Sequence, residues 1–158
     1  MTYKLLASSA PSVLATFTVS TPGNDRLARL DARWVKSPVT IICAHGEIDQ
    51  ANAHTLTEYS LAYLARRRKL ILDLTHLEFL GAAGFSALHR ISVSCAHAGI
   101  DWALVPGAAV SRILRICDPD GLLPSVDTVS AALASLQGSA PDADHRGPAT
   151  SICDAISN

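Results

Sequence analysis

Two pairs of reactive side chains near residue 45 have a spacing that could support catalysis. Glu47 and Asp49 are carboxylates two residues apart, and they could act as general acid and base if a pocket separated their pKa values. Cys43 and His45 would share one face of a strand, as a nucleophile and its base require. No third residue is evident to orient the Cys43–His45 pair. Because Cys43 lies in an apolar run and Asp49 can cap a helix, we expect a core cysteine, a cap and no enzyme.

A third candidate site is the segment Gly81-Ala82-Ala83-Gly84, which precedes a predicted helix. Two glycines beside small residues could bind a phosphate at the N-terminus of that helix. The G-x-G-x-x-G fingerprint and the P-loop lysine of nucleotide-binding loops are both absent. The alternative is a tight loop that lets the helix pack close to the sheet.

Metal, disulfide and nucleic-acid chemistry find little support in the composition. The four cysteines, Cys43, Cys95, Cys117 and Cys153, include no C-x-x-C pair, and the six histidines include no H-x-x-H. We therefore expect no metal and no other cofactor, and a reducing cytoplasm as the location. The formal net charge is -1, and the basic run 66–69 is short enough to be a solvated helix end. Direct binding to nucleic acid or to a membrane is not predicted.

Alternating strand and helix signals position these residues. Apolar runs predict strands at residues 30–35, 39–44, 70–74, 100–105 and, as a short edge strand, 122–126. Helical spacing predicts helices from near Gln50, at 82–97 and 107–117, and from a cap at Asp127 to about Gln137, with a loop at 75–81. The short turn between the first two strands makes that pair antiparallel, whereas helical crossovers make the others parallel. The predicted fold is α/β, with a mixed sheet of four to five strands and helices mainly on one face.

The two ends of the chain differ from its middle. Lys4 is the only charged residue between Met1 and Asn24, and small residues and prolines dominate there, so residues 1–28 are predicted to be a flexible arm. Residues 138–158 are rich in Ala, Ser, Pro, Asp and Gly, which predicts a flexible tail. The folded domain is expected over 29–137. No apolar run approaches the roughly 20 residues that cross a bilayer.

Three segments carry the motifs of one known family in the same order. Residues 39–53 resemble its strand ending in G-E-[ILV]-D before a helix, and residues 70–85 resemble L-D-L-S-x-[LV]-x-F-[LM]-D-S-S-G-[LIV]. Residues 99–117 are similar to G-x-x-[LV]-x-L-V-x-x-[SN]-P-x-V-x-R-[IV]-L. Together they resemble the STAS domain, the family of bacterial anti-sigma factor antagonists and of sulfate-transporter tails, over about residues 30–137.

The residue that the family phosphorylates is replaced in this chain. In the resemblance, D-S-S-G aligns with Gly81, Ala82, Ala83 and Gly84, so the serine modified by the partner anti-sigma kinase aligns with Ala83. Alanine has no hydroxyl, whereas a phosphate would add about -1.5 to -2 charges and block a partner. Ser86 lies one turn into the helix, outside the loop. The resemblance thus implies a permanently binding-competent chain, controlled by its abundance or by modification of Thr2, Ser8, Ser9 or a cysteine.

The resemblance implies a non-enzymatic binding module for an anti-sigma factor of the kinase-like class, which would free a sigma factor and so regulate transcription. Asp49 would offer a carboxylate to an arginine or lysine of that partner. The alternative is a small-ligand or nucleotide-sensing module that uses the Gly81–Gly84 segment. A homodimer formed by exchange of the arm stays open. The docking surface that the resemblance implies consists of residues 46–52 and 79–85 with the helix that follows. The expected contact residues are Glu47, Asp49, Asn52, Leu80, Gly81, Ala82, Ala83, Gly84 and Phe85.

Overall fold

The run Leu70-Ile71-Leu72 is apolar at every position because both of its faces are covered. The computed structural model describes residues 13–19, 28–34, 39–64 and 69–138, and in it all three side chains are fully buried. Leu70 and Leu72 contribute to a larger core on one face of the sheet, and Ile71 contributes to a smaller core on the other. Successive strand residues point to opposite faces, so a strand covered on both sides shows a continuous apolar run.

In the described part of the chain, five strands form one mixed sheet in the order β1-β2-β3-β4-β5. The strands are β1 Val13–Val19, β2 Ala28–Trp34, β3 Val39–Ile48, β4 Lys69–Leu80 and β5 Asp101–Pro106. β1, β2 and β3 pair antiparallel, whereas β3, β4 and β5 pair parallel. The predicted mixed α/β sheet is confirmed.

Helices α1 Ala53–Leu64, α2 Ala82–Ala98 and α3 Ala108–Cys117 cover one face of this sheet, and α4 Val129–Gly138 lies on the other. Leu56, Leu88 and Val110 anchor the first three helices in the larger core. Leu136 is one of the residues that anchor α4 in the smaller core. The prediction that the helices lie mainly on one face of the sheet is therefore confirmed. Within the residues that the structure describes, no helix combines the length and apolarity needed to cross a membrane.

The predicted loop at 75–81 is wrong, because β4 continues to Leu80 and β3 continues to Ile48. The register between the two strands shifts between Cys43 and His45 and again between Gly46 and Glu47. Past the first shift, the buried residues of β4 lie at every third position, at Leu74, Leu77 and Leu80. Each shift inserts one extra residue into β4. An inserted residue breaks the two-residue alternation by which a strand is recognised in a sequence.

The predicted flexible arm is wrong for Val13–Val19, which form β1 against β2. Their sequence alternates apolar and other residues, a pattern typical of a strand, and β2 offers them a row of backbone hydrogen-bonding groups. The remainder of the predicted arm, and the predicted tail beyond Gly138, lie outside the described residues.

Three smaller predictions also change. The edge strand at 122–126 is reduced to one parallel bridge between Leu104 and Ser125. The cap of α4 is Thr128 rather than Asp127, because Thr128 Oγ1 accepts a hydrogen bond from the backbone N–H of Ala131 at 3.0 Å. Helix α1 begins at Ala53 rather than near residue 50, after a short turn.

We expect Leu88→Ala to lower the free energy of unfolding by about 2–5 kcal/mol, because it leaves a cavity in the larger core. Leu122→Ala removes the same atoms from a side chain that is 81% exposed, and should change stability by less than about 0.5 kcal/mol. Urea denaturation of both variants measures the difference. Equal effects would contradict the packing described here.

Candidate partner-binding surface

The carboxyl ends of β3 and β4 bring two distant parts of the chain to one corner of the sheet. In the parallel pairing, Glu47 lies opposite Phe79 and Ile48 lies opposite Leu80. The backbone N–H of Gly81 then donates to the carbonyl of Ile48 at 2.8 Å. This pairing places the turn that precedes α1 beside the start of α2, where most of the predicted contact residues lie.

Asn52 is buried beneath this corner and organises the turn after β3. Its side chain is 4% exposed; Oδ1 accepts from the backbone N–H of Asp49 at 3.0 Å, and Nδ2 donates to the carbonyl of Glu47 at 2.9 Å. The carboxylate of Asp49 accepts from the backbone N–H of Ala51 at 2.8 Å. The prediction that Asn52 contacts a partner directly is therefore corrected: Asn52 holds Glu47 and Asp49 in position.

Leu80 and Gly84 are likewise buried and support the corner from below. A Cβ atom at Gly84 would lie 2.2 Å from Leu80 Cδ1 and 3.1 Å from Ile48 Cγ2, so only glycine lets α2 sit this close to the strand ends. This is the close helix–sheet packing that the tight-loop interpretation predicts. Neither Leu80 nor Gly84 can form part of a contact surface as the sequence suggests, because neither is accessible.

The accessible part of the corner combines an aromatic ring, two carboxylates and a stretch of small residues. Phe79 is 46% exposed, and its ring lies near Gly81, where an added Cβ would be 3.4 Å from Phe79 Cε1. Contiguous exposed apolar patches on a folded domain often mark binding sites, and Phe79 lies next to the small apolar residues of the following segment. We define the corner surface as Glu47, Asp49, Phe79, Gly81, Ala82, Ala83 and Phe85, each exposed or half-buried.

Phe79 lies in the segment 79–85 that the resemblance implies as a docking surface, although it is not among the individual contact residues expected there. The signal available in the sequence is the position of Phe79 directly after Glu78, outside the one-in-three spacing of the buried residues. Only the pairing of β3 with β4 turns that spacing into an exposed ring beside Glu47.

The start of α2 carries neither a phosphorylatable group nor an acidic one. Gly81 caps the helix without a side-chain hydrogen bond, and its first turn contains no acidic residue. No hydroxyl occurs between Phe79 and Phe85. The next hydroxyl, on Ser86, donates to the carbonyl of Ala82 at 3.1 Å, as a serine inside a helix does. The Ala82–Ala83 pair is thus an uncharged patch at the mouth of the helix.

Cys43 and His45 each lie near an aspartate of a neighbouring strand. Cys43 is buried in the smaller core and its Sγ lies 3.8 Å from Asp73 Oδ2. His45 Nε2 lies 3.7 Å from Asp31 Oδ2, and its ring stacks on His76 with the ring centroids 4.9 Å apart. Each side chain therefore has its own neighbours.

The other buried thiol, Cys95, is held in its neutral form, because burial raises its pKa to about 11. Within the described part of the chain, no group of three His, Cys, Asp or Glu side chains is arranged to hold a metal ion.

Comparison with known proteins identifies relatives over most of the described domain. The model of the family described as the STAS domain matches residues 34–132. Osmosensory protein A of Mycobacterium tuberculosis is 29% identical over 140 residues, covering 83% of this chain and 88% of that protein. The anti-sigma-F factor antagonist RsfA of the same organism is 34% identical over 99 residues, covering 60% of this chain and 77% of that protein. A crystal structure of an anti-sigma factor antagonist from Mycobacterium paratuberculosis, 24% identical, superposes with a TM-score of 0.63 and covers 75% of this chain and 99% of that chain.

We expect Asn52→Ala to lower the free energy of unfolding by about 1–3 kcal/mol, because it leaves the Asp49 N–H and the Glu47 carbonyl without their partners. The amide of Asp49 should also exchange with solvent faster. Gln50→Ala is the matched control, since Gln50 is exposed in the same turn. Hydrogen exchange read by NMR, together with urea denaturation, measures both effects. If the Asp49 amide exchanged at the same rate in Asn52→Ala as in wild type, the role of Asn52 in fixing this turn would be refuted.

Proposed function

The chain belongs to the STAS domain family, and from that premise we propose that it is an anti-sigma factor antagonist. It binds a kinase-like anti-sigma factor in the cytoplasm, frees a sigma factor and so regulates transcription through protein–protein contact. It performs no reaction of its own and uses no cofactor. The similarity to a protein named an anti-sigma-F factor antagonist supports this role.

The observation that carries the proposal is the corner surface. Phe79 supplies an exposed aromatic anchor, and aromatic side chains are among the residues that contribute most to binding at protein interfaces. Glu47 and Asp49 lie on the neighbouring segment and supply carboxylates that suit an arginine or lysine of the partner. The small residues Gly81 and Ala82 leave room for the partner to approach the backbone of α2.

Ala83 makes the binding-competent state permanent in this proposal. A partner kinase has no hydroxyl to modify at this position, so the charge that would repel it is never added. Control then acts through the amount of the protein or through another site. Thr2, Ser8 and Ser9, the alternative sites from the sequence, lie outside the described residues.

We expect Ala82→Glu to weaken binding to the anti-sigma factor by more than about tenfold, or roughly 1.4 kcal/mol, because it puts a charge on the exposed apolar patch. Ala83→Glu should act more strongly, but Ala83 packs against the core, so its thermal melt must be checked beside its affinity. Ala96→Glu is the matched control, exposed on the same helix about 20 Å away.

Calorimetric titration against each purified anti-sigma factor of the host cell measures these affinities. Wild-type protein that binds none of them would refute the proposed function. Ala82→Glu that binds as tightly as Ala96→Glu would show that the partner uses another surface.

We expect Ala83→Ser to restore the switch. Incubated with ATP and the bound anti-sigma factor, this variant should gain one phosphate by intact mass spectrometry, and the phosphorylated form should lose affinity. Wild type should gain none under the same conditions. A wild-type chain that is phosphorylated at Ser86 would contradict the permanent state.

A further inference from the structure

A groove of about 730 Å³ runs between α1 and α2, beside the corner surface. Residues from both helices form it, and those that bear on its chemistry are Thr57, Leu61, Phe85, His89, Arg90 and Val93. The proposed function does not account for it, apart from Phe85 at one end. Its walls include exposed side chains, so it is open to a polypeptide.

The floor of the groove is apolar, and the residues that line it include the cation Arg90. Leu61 and Phe85 are half-buried, and Val93 is 43% exposed. His89 and Arg90 are exposed along the same stretch of α2. Among the residues that the structure describes, no carboxylate lines the groove, and α2 contains no acidic residue along its length. Glu58 of α1 is exposed but is not a lining residue.

The groove continues the corner surface, because Phe85 belongs to both. From Phe85 to Val93 the groove follows α2 for about 12 Å, which is the length of two helical turns. A partner docked over Phe79 and Ala82 therefore has an adjoining apolar channel within reach. The charge changes sign on the way, from the carboxylates of the corner surface to Arg90.

We infer that this groove receives an acidic, amphipathic segment of the anti-sigma factor. The apolar side chains of that segment lie on Leu61, Phe85 and Val93, and its carboxylates face Arg90 and His89. Grooves between helices take amphipathic helices in this way, with apolar anchors on one side. The inference rests on the proposed function and adds to it the orientation of the partner, because surfaces of opposite charge at the two ends admit only one direction of docking.

The test compares Arg90→Glu with Arg112→Glu in the full chain, by titration against the same anti-sigma factor. Both arginines are exposed, so both variants make the same change of net charge, but Arg112 lies on α3, outside the groove. Arg90→Glu should weaken binding on the order of tenfold and flatten its dependence on salt concentration, because it replaces attraction by repulsion. Arg112→Glu should leave the affinity and its dependence on salt concentration nearly unchanged.

Two variants of Val93 test the apolar floor of the groove. Val93→Asp should weaken binding at least as much as Arg90→Glu, whereas Val93→Ala should have little effect, since only the aspartate brings charge into the apolar channel. Thermal melts of the variants should match that of wild type, because both positions are exposed. If wild type binds but Arg90→Glu and Val93→Asp bind equally well, the groove is not part of the interface and the proposed function still stands. If wild type binds no anti-sigma factor, the proposed function itself fails.

Discussion

The parallel pairing of β3 with β4 as far as Ile48 and Leu80 is the constraint on which the corner surface depends. It carries two register shifts, and each adds a residue of β4 that has no counterpart in β3. Because of those shifts, Phe79 emerges beside Glu47 while Leu80 stays in the core. The buried side chain of Asn52 fixes the turn on one side, and the contact of Gly84 with Leu80 fixes the helix on the other.

The four small residues from Gly81 to Gly84 serve two separate purposes. Gly84 is small because a side chain there would collide with Leu80 and Ile48, so packing alone accounts for it. Ala82 and Ala83 are accessible, and packing would tolerate a slightly larger side chain at the exposed Ala82. Neither has a hydroxyl, so neither can accept a phosphate.

The charged groups of the corner surface and of the groove have opposite signs. The carboxylates of Glu47 and Asp49 lie at the strand ends, whereas α2 carries Arg90 and His89 and no acidic residue. Such an arrangement contributes little to the free energy of folding, because exposed charges are well solvated. For a partner with the complementary charges, this arrangement determines how the partner is oriented and how fast the two proteins meet.

The sequence by itself determined the mixed α/β fold and the number of main helices, because buried strands and amphipathic helices have local periods that a sequence displays. It also determined that position 83 has no hydroxyl, which no fold can alter. Only the tertiary structure decided that Asn52, Leu80 and Gly84 lie beneath the surface and that Phe79 stands opposite Glu47. The physical reason is that these roles follow from strand pairing between distant segments. The added residues in β4 replace the two-residue period with a three-residue one, so no local pattern reports which side chains face outward.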